Sequence, residues 1–288
     1  MSDGHVRLGY IGLGNMGAPM AKRLVDWPGG IIVYDVRPEM MAPLGEAGAT
    51  LADSLADVAG ADIISITVLN DEQVRDVIGK LARHAKPDTV IAIHSTISDS
   101  TAVELAEELQ PQGIHIVDAP VSGGGGAAEN GQLATMVGAK RQDYERIKPV
   151  FKRWASLVIH AGEPGAGTRM KLARNMLTFT SYAAAGEAMK LAEAAGLNLQ
   201  ALGRVVRHTD ALTGGPGAIM VRDDMAPLQP DHWLYDAFTH TRGLGEKDLS
   251  LALALGEAVS VELPLAQVAL QHLAEGLGVP DAASNTKE

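Results

Sequence analysis

The chain has 288 residues, long enough for one large domain or two medium ones with real cores. It is 46% hydrophobic and 20% charged, which argues against disorder and points to apolar surface covered by a partner subunit. A formal net charge of −11 argues against nucleic acid or a membrane surface as partner, and the lack of cysteine excludes disulfides, thiolate nucleophiles and Cys-ligated zinc.

The first residues are polar and lead into a short apolar stretch broken by Arg7. They carry no signal-peptide pattern, and the chain holds no apolar run of about 18 residues, so the expectation is a cytoplasmic protein. β-rich runs follow at 6–12 (VRLGYIG), 31–35 (IIVYD), 62–68, 89–96, 114–121, 133–138 and 157–162. Helical patterns separate them, which predicts an α/β fold with a doubly wound parallel sheet. The amphipathic run 141–155 predicts a surface helix that Pro149 kinks or splits.

After residue 163 the β-branched runs stop, and Ala, Leu, Gly and Met recur at helical spacing. The second half therefore reads as all-α, with GEPGAG (162–167) as punctuation. A long helix is predicted from Thr168 to Ala195, closed by Gly196 and roughly 40 Å long. The expected domains are 1–163 and 164–288, with the final PDAASNTKE (280–288) a loose tail.

GLGNMG (12–17) places Gly12, Gly14 and Gly17 directly after a strand and at the mouth of a helix. A lone G-x-G-x-x-G is weak, but the next strand ends in Asp35, 18 residues beyond Gly17. In a dinucleotide site the glycines allow the tight turn, the approach of the pyrophosphate and close helix–strand packing. The acid grips the adenosine ribose hydroxyls. Asp35 favours NAD, because its carboxylate would repel a 2′-phosphate. Arg37 pulls toward NADP if it meets that phosphate; it could equally stack on adenine or stay in solvent.

RMKLARNML (169–177) raises a separate question, since Lys171 and Asn175 share a face of an otherwise apolar helix. A snorkelling lysine with a wet ammonium is one reading. A desolvated lysine with lowered proton affinity, useful in proton transfer, is the other.

Five motifs in order now carry a resemblance over nearly the whole chain. They are GLGNMG (12–17), STIS (95–98), DAPVSGG (118–124), GAGTRMKLARN (165–175) and EKDLSLAL (246–253). The sequence resembles the β-hydroxyacid dehydrogenase family, which includes 3-hydroxyisobutyrate dehydrogenase and tartronate semialdehyde reductase. The resemblance implies a Rossmann-type N-terminal domain, an all-helical substrate and dimerisation domain, and a homodimer or homotetramer. It implies hydride transfer between NAD (preferred) or NADP and a small 3-hydroxy acid, with Lys171 as general acid/base and Asn175 orienting the reacting hydroxyl. Ser122, Gly123 and Gly124 would hold the substrate carboxylate in a nest of backbone N–H groups. Gly12, Leu13, Gly14, Asn15, Met16, Gly17, Asp35, Arg37, Leu69, Thr96 and Lys247 would line the cofactor. Asp248 beside Lys247 reads as an ion-pairing residue, and no metal is implied.

Three features depart from the family pattern. Arg174 replaces the first of two adjacent asparagines, and either depresses the proton affinity of Lys171 or points to solvent. His94 precedes the Ser-Thr pair where an acidic or small residue is common, and reads as a hydrogen-bonded histidine at a strand end. The segment 210–238, in the region expected to close over substrate, aligns poorly with familiar members. An imine reductase of the same plan is the first alternative, though Lys171 argues against it. A non-catalytic NAD-binding protein is the second. A phosphogluconate dehydrogenase relative would need a longer helical domain and phosphate-binding basic residues, and a metal hydrolase would need paired histidines that are missing.

Overall fold

The computed structural model describes residues 6–281, so the first five residues and most of the predicted tail lie outside the described residues. The chain divides into two compact units, Met1–Arg174 and Asn175–Glu288.

The strands of the first unit are β1 (Leu8–Ile11), β2 (Ile31–Tyr34), β3 (Thr50–Leu51), β4 (Ile63–Ile66), β5 (Val90–Ile93), β6 (His115–Asp118), β7 (Val121–Ser122), β8 (Leu133–Gly138) and β9 (Ala155–Gly162). They form one sheet in the order β3-β2-β1-β4-β5-β6-β8-β7, with β9 paired to β8. From β3 to β6 every pairing is parallel. The chain goes to one side of β1 for β2 and β3, then to the other for β4. That reversal marks the C-terminal ends of β1 and β4 as the place where sheets of this kind take their ligands.

The helices of this unit are α1 (Gly17–Lys22), α2 (Ala42–Glu46), α3 (Leu55–Val58), α4 (Asp71–Ala82), α5 (Asp99–Leu109), α6 (Gly124–Glu129), α7 (Arg141–Phe151) and the start of α8 (Ala166–Ala194). β1, β4 and β5 are buried end to end, as central strands covered on both faces must be. Alternation sends Tyr10 to one face, against Met20, Phe151 and Trp154. It sends Ile11, Ile64 and Ile91 to the other, against Val74, Ile78 and Leu105. Each such fully buried side chain stabilises by roughly 1.5–3 kcal/mol.

Three expectations need correction in extent. The sheet is not wholly parallel: β8 runs antiparallel to β6 and β7, because the short segment holding β7 and α6 turns the chain back. The run 114–121 breaks after Asp118 into two strands, and Pro120, which has no N–H to give a ladder, stands at the break. The helix expected to 155 ends at Phe151, passing through Pro149 in its last turn, where a missing N–H loses only one bond. Ala155 begins β9 instead.

In the second unit α8 continues and is followed by α9 (Leu199–Thr213), α10 (Tyr235–Ala258) and α11 (Pro264–Leu277). Gly196 has φ +74 beyond the end of α8, the left-handed turn that closes a helix. The carboxylate of Glu187 on α8 accepts from the N–H groups of Leu265 and Ala266, capping the first turn of α11. Leu234, Phe238, Leu277 and Val279 form a small buried cluster. The fifteen residues of α9 bury none of their side chains, and Phe179, Tyr182 and Leu212 are 62%, 67% and 75% exposed. No helix among the described residues is long and apolar enough to cross a membrane.

Candidate active site

The glycine loop joins β1 to α1, and its three glycines answer different needs. Gly12 has φ +86, and a side chain there would meet the Thr67 carbonyl oxygen at 2.1 Å. A side chain at Gly17 would meet the Gly12 carbonyl oxygen at 1.8 Å. Gly14 has open space where its Cβ would be. Two glycines thus allow the loop to fold, and the third leaves a cradle unfilled, as a loop that receives a pyrophosphate requires. Leu13, Asn15 and Met16 lie between them, with the Leu13 N–H donating to Asp35 Oδ2 at 2.7 Å. Asp35 is buried just past β2, and its Oδ1 accepts from the Arg37 N–H at 2.9 Å and Arg37 Nε at 3.3 Å. The glycine loop and the end of β2 are therefore cross-linked by the acid the sequence singled out.

The loops after β4 and β5 are tied by Ser95, a residue sequence reasoning did not assign. Its hydroxyl accepts from the Val68 N–H at 2.9 Å and donates to the Val68 carbonyl at 2.6 Å. Leu69 and Thr96, on either side of that tie, are both exposed. His94 is the hydrogen-bonded histidine expected at the strand end: Nδ1 lies 2.8 Å from the Ala119 carbonyl and Nε2 3.0 Å from Ser65 Oγ. Burial pushes its pKa down to about 4, so the ring is neutral near pH 7.

A second unassigned residue, Asp118, roots α8. Its buried carboxylate accepts from Gly165 N–H at 2.7 Å and Thr168 N–H at 2.6 Å, using donors a helix start leaves without intrahelical partners. Burial raises its pKa, against the lowering effect of those same bonds. The approach is close enough to require glycines. A side chain at Gly138 would meet Asp118 Oδ1 at 2.2 Å, and one at Gly167 the Met136 carbonyl oxygen at 2.4 Å. The first turn of α8, so fixed, brings Lys171 to the strand end at β7.

Lys171 is not a snorkelling residue. It is 9% exposed, and its Nζ donates to the Val121 carbonyl at 2.7 Å and to Ser122 Oγ at 3.2 Å. Desolvation lowers its pKa, and the nearby Arg174 charge lowers it further. Gly123 and Gly124 follow with φ +136 and +77, conformations that side chains resist.

Asn175 and Lys247 belong to the second unit. Asn175 stands one turn beyond Lys171 on α8 and is half-buried. Lys247, on α10, is exposed and pairs with Asp248 at 2.9 Å. The segment 210–238 begins in α9, passes through a short turn at Gly215–Ile219 and runs without regular structure to α10. It is held by Arg222, which donates to the Ala226 carbonyl, and by Leu228 N–H to the Gly278 carbonyl at 2.8 Å.

A doubly wound sheet with this glycine loop and an all-helical second unit defines an NAD(P)-binding oxidoreductase. Residues 7–162 match the NAD-binding domain of 6-phosphogluconate dehydrogenase, and residues 165–285 match the NAD-binding domain of NADP-dependent 3-hydroxyisobutyrate dehydrogenase. A crystal structure of a Mycobacterium avium protein described as an oxidoreductase is 78% identical, with a TM-score of 0.93, over 96% of this chain and 100% of that one. An uncharacterized oxidoreductase of Mycobacterium tuberculosis is 71% identical over 95% of this chain and 94% of its own. The 3-hydroxyisobutyrate dehydrogenase of Pseudomonas aeruginosa is 34% identical over 91% of this chain and 89% of its own. The chain belongs to the β-hydroxyacid dehydrogenase family, whose members include the 3-hydroxyisobutyrate dehydrogenases.

Proposed function

We propose that this protein oxidises a small 3-hydroxy acid, or reduces the matching carbonyl compound, with Lys171 as general acid/base. The observation that carries this reading is the desolvated amine of Lys171 held on Val121 and Ser122. An ammonium has three N–H groups, and these two partners take two of them. The third can be given to a carbonyl oxygen. In the neutral amine the same position holds a lone pair that accepts a hydroxyl proton. Nothing has to turn between the two states.

A bound nicotinamide supplies the hydride acceptor or donor for the carbon that bears this oxygen. Gly12, Leu13, Gly14, Asn15, Met16 and Gly17 would hold its pyrophosphate, with Leu69, Thr96 and Lys247 as further contacts. Asp35 favours NAD over NADP, and Arg37, already paired with Asp35, is less available to a 2′-phosphate. Asn175 would orient the substrate hydroxyl without adding charge, and Ser122, Gly123 and Gly124 would take its carboxylate. The likeness to 3-hydroxyisobutyrate dehydrogenase supports that substrate class. We take residues 1–163 as the nucleotide domain and 164–288 as the substrate and dimerisation domain of a cytoplasmic homodimer or homotetramer. The exposed apolar side chains of α8 and α9 support the oligomer, since a helix such as α9, with no residue fully buried, gains little from folding alone.

The test is a panel of 3-hydroxy acids, 3-hydroxyisobutyrate among them, with NAD and NADP, followed by the absorbance of the reduced cofactor. Lys171→Ala should lower kcat by about 10²–10⁴-fold while dinucleotide affinity holds. Lys171→Arg should rescue little, because a guanidinium keeps its proton. Near-wild-type turnover in Lys171→Ala would overturn the mechanism.

A further inference from the structure

We propose that His94 is a positioning residue for Lys171, acting through the strand-end segment 118–121 and resting on the reading of Lys171 as the proton carrier. The hydrogen bonds of the His94 ring go to Ala119 and Ser65, not to Lys171 or the glycine loop, and the mechanism above does not use it. Its ring is nevertheless bonded at both nitrogens and boxed by aromatic side chains. Phe151 and Trp154 meet it edge-on at 5.1 and 5.3 Å, and Tyr10 stacks at 6.3 Å.

The hydrogen bonds fix which proton the ring carries. The Ala119 carbonyl can only accept, so Nδ1 must bear the hydrogen. Nε2 is then a lone pair, and the Ser65 hydroxyl donates to it. The side chains of Tyr10, Ser65, Phe151 and Trp154 against the ring are uncharged. Burial also holds the ring neutral near pH 7, so this tautomer persists there.

What the bond to Ala119 orients is the consequence that matters. Asp118 holds the root of α8 through Gly165 and Thr168. Val121, three residues on, receives the Lys171 amine. Between them the Ala119 carbonyl belongs to the planar peptide that joins Pro120, whose φ is locked by its ring. Gripping that carbonyl sets the plane, and the proline passes the orientation on to Val121. His94 thus steadies a stretch of backbone that meets Lys171 at both its helix and its amine.

Three variants separate this role from mere packing. In His94→Asn the side-chain amide keeps a donor near the Nδ1 position; His94→Gln reaches toward Ser65 instead; His94→Phe keeps the ring and loses both bonds. The readout is the titration of Lys171, followed by competitive labelling with acetic anhydride across pH and mass spectrometry, which needs no substrate. We expect His94→Gln and His94→Phe to move that titration up toward the ordinary lysine range, and His94→Asn to leave it near wild type. With whichever panel substrate turns over, kcat should fall about tenfold to a hundredfold in the first two, with NAD affinity held.

If all three variants are folded and Lys171 titrates as in the wild type, the positioning role is wrong. It is also wrong if the effects follow melting temperature rather than the donor. If no variant folds, nitrogen-15 imidazole spectra of the wild type decide: the Nδ1–H tautomer supports the role, and Nε2–H overturns it. Loss of the titration shift together with full activity of Lys171→Ala would sink the proton-carrier reading and leave the geometric link standing.

Discussion

The carboxylate of Asp118 accepts the backbone N–H of Thr168 at 2.6 Å, across 50 residues of sequence. Asp118→Asn can offer an oxygen to only one of the two N–H donors and presents its own N–H₂ to the other. The loss should be about 1–3 kcal/mol in urea unfolding of the first unit. Stability equal to wild type would mean α8 is rooted by other contacts.

The glycines of the nucleotide loop should separate into two kinds. Gly17→Ala forces a side chain onto the Gly12 carbonyl and should cost at least about 1–3 kcal/mol of stability. Gly14→Ala points into open space and should leave the melting temperature alone. It should instead raise Kd for NAD at least about tenfold, or ~1.4 kcal/mol, by calorimetry. Undiminished NAD binding in Gly14→Ala would show that the cradle is not used.

Asp35 should set cofactor choice. Wild type is expected to prefer NAD in kcat/KM, and Asp35→Ala should narrow that preference about tenfold, equivalent to ~1.4 kcal/mol. A wild-type preference for NADP would reverse the assignment and make Arg37 the phosphate ligand.

Acid should weaken the first unit through His94. An unfolded histidine titrates near 6.5, whereas the folded ring has been pushed down to about 4. Between those values the unfolded chain binds a proton the folded chain does not. Stability is therefore intact above about pH 6.5 and declines as pH falls toward 4, by on the order of 3 kcal/mol from this group. Urea unfolding at pH 7 and pH 4.5 should show a smaller drop in His94→Gln than in the wild type. Equal drops would assign the acid sensitivity elsewhere.

Glu187→Ala removes the cap of α11 and should destabilise the second unit by about 1 kcal/mol. Hydrogen exchange at Leu265 and Ala266 should quicken, and unchanged exchange would count against the cap.

The alternation of β-rich and helical runs made the nucleotide half legible, because buried central strands and glycine turns leave strong local patterns. Lys171 was legible for a related reason: a cation in an apolar helical run is costly and stands out. Asp118, Ser65 and Ser95 were not. Their partners are groups distant in sequence, backbone ones for Asp118 and Ser95 and the His94 ring for Ser65, and no spacing rule connects an aspartate at a strand end to an N–H group 50 residues later. His94 was legible as a bonded histidine, but the identity of its partners required the sheet. The break at Pro120 was hidden and two strands read as one, since hydrophobic runs continue through a residue that cannot pair.

The division of the chain after Arg174 has a practical meaning for hybrid enzymes. Lys171, with the Val121 and Ser122 atoms that hold it, lies wholly on the N-terminal side of that division. A chimera that joins two family members after Arg174 would cut α8 (Ala166–Ala194) between Lys171 and Asn175. On the proposed mechanism, such a chimera would take Lys171 and the carboxylate-binding segment 122–124 from the N-terminal parent, and Asn175, which orients the hydroxyl, from the C-terminal parent.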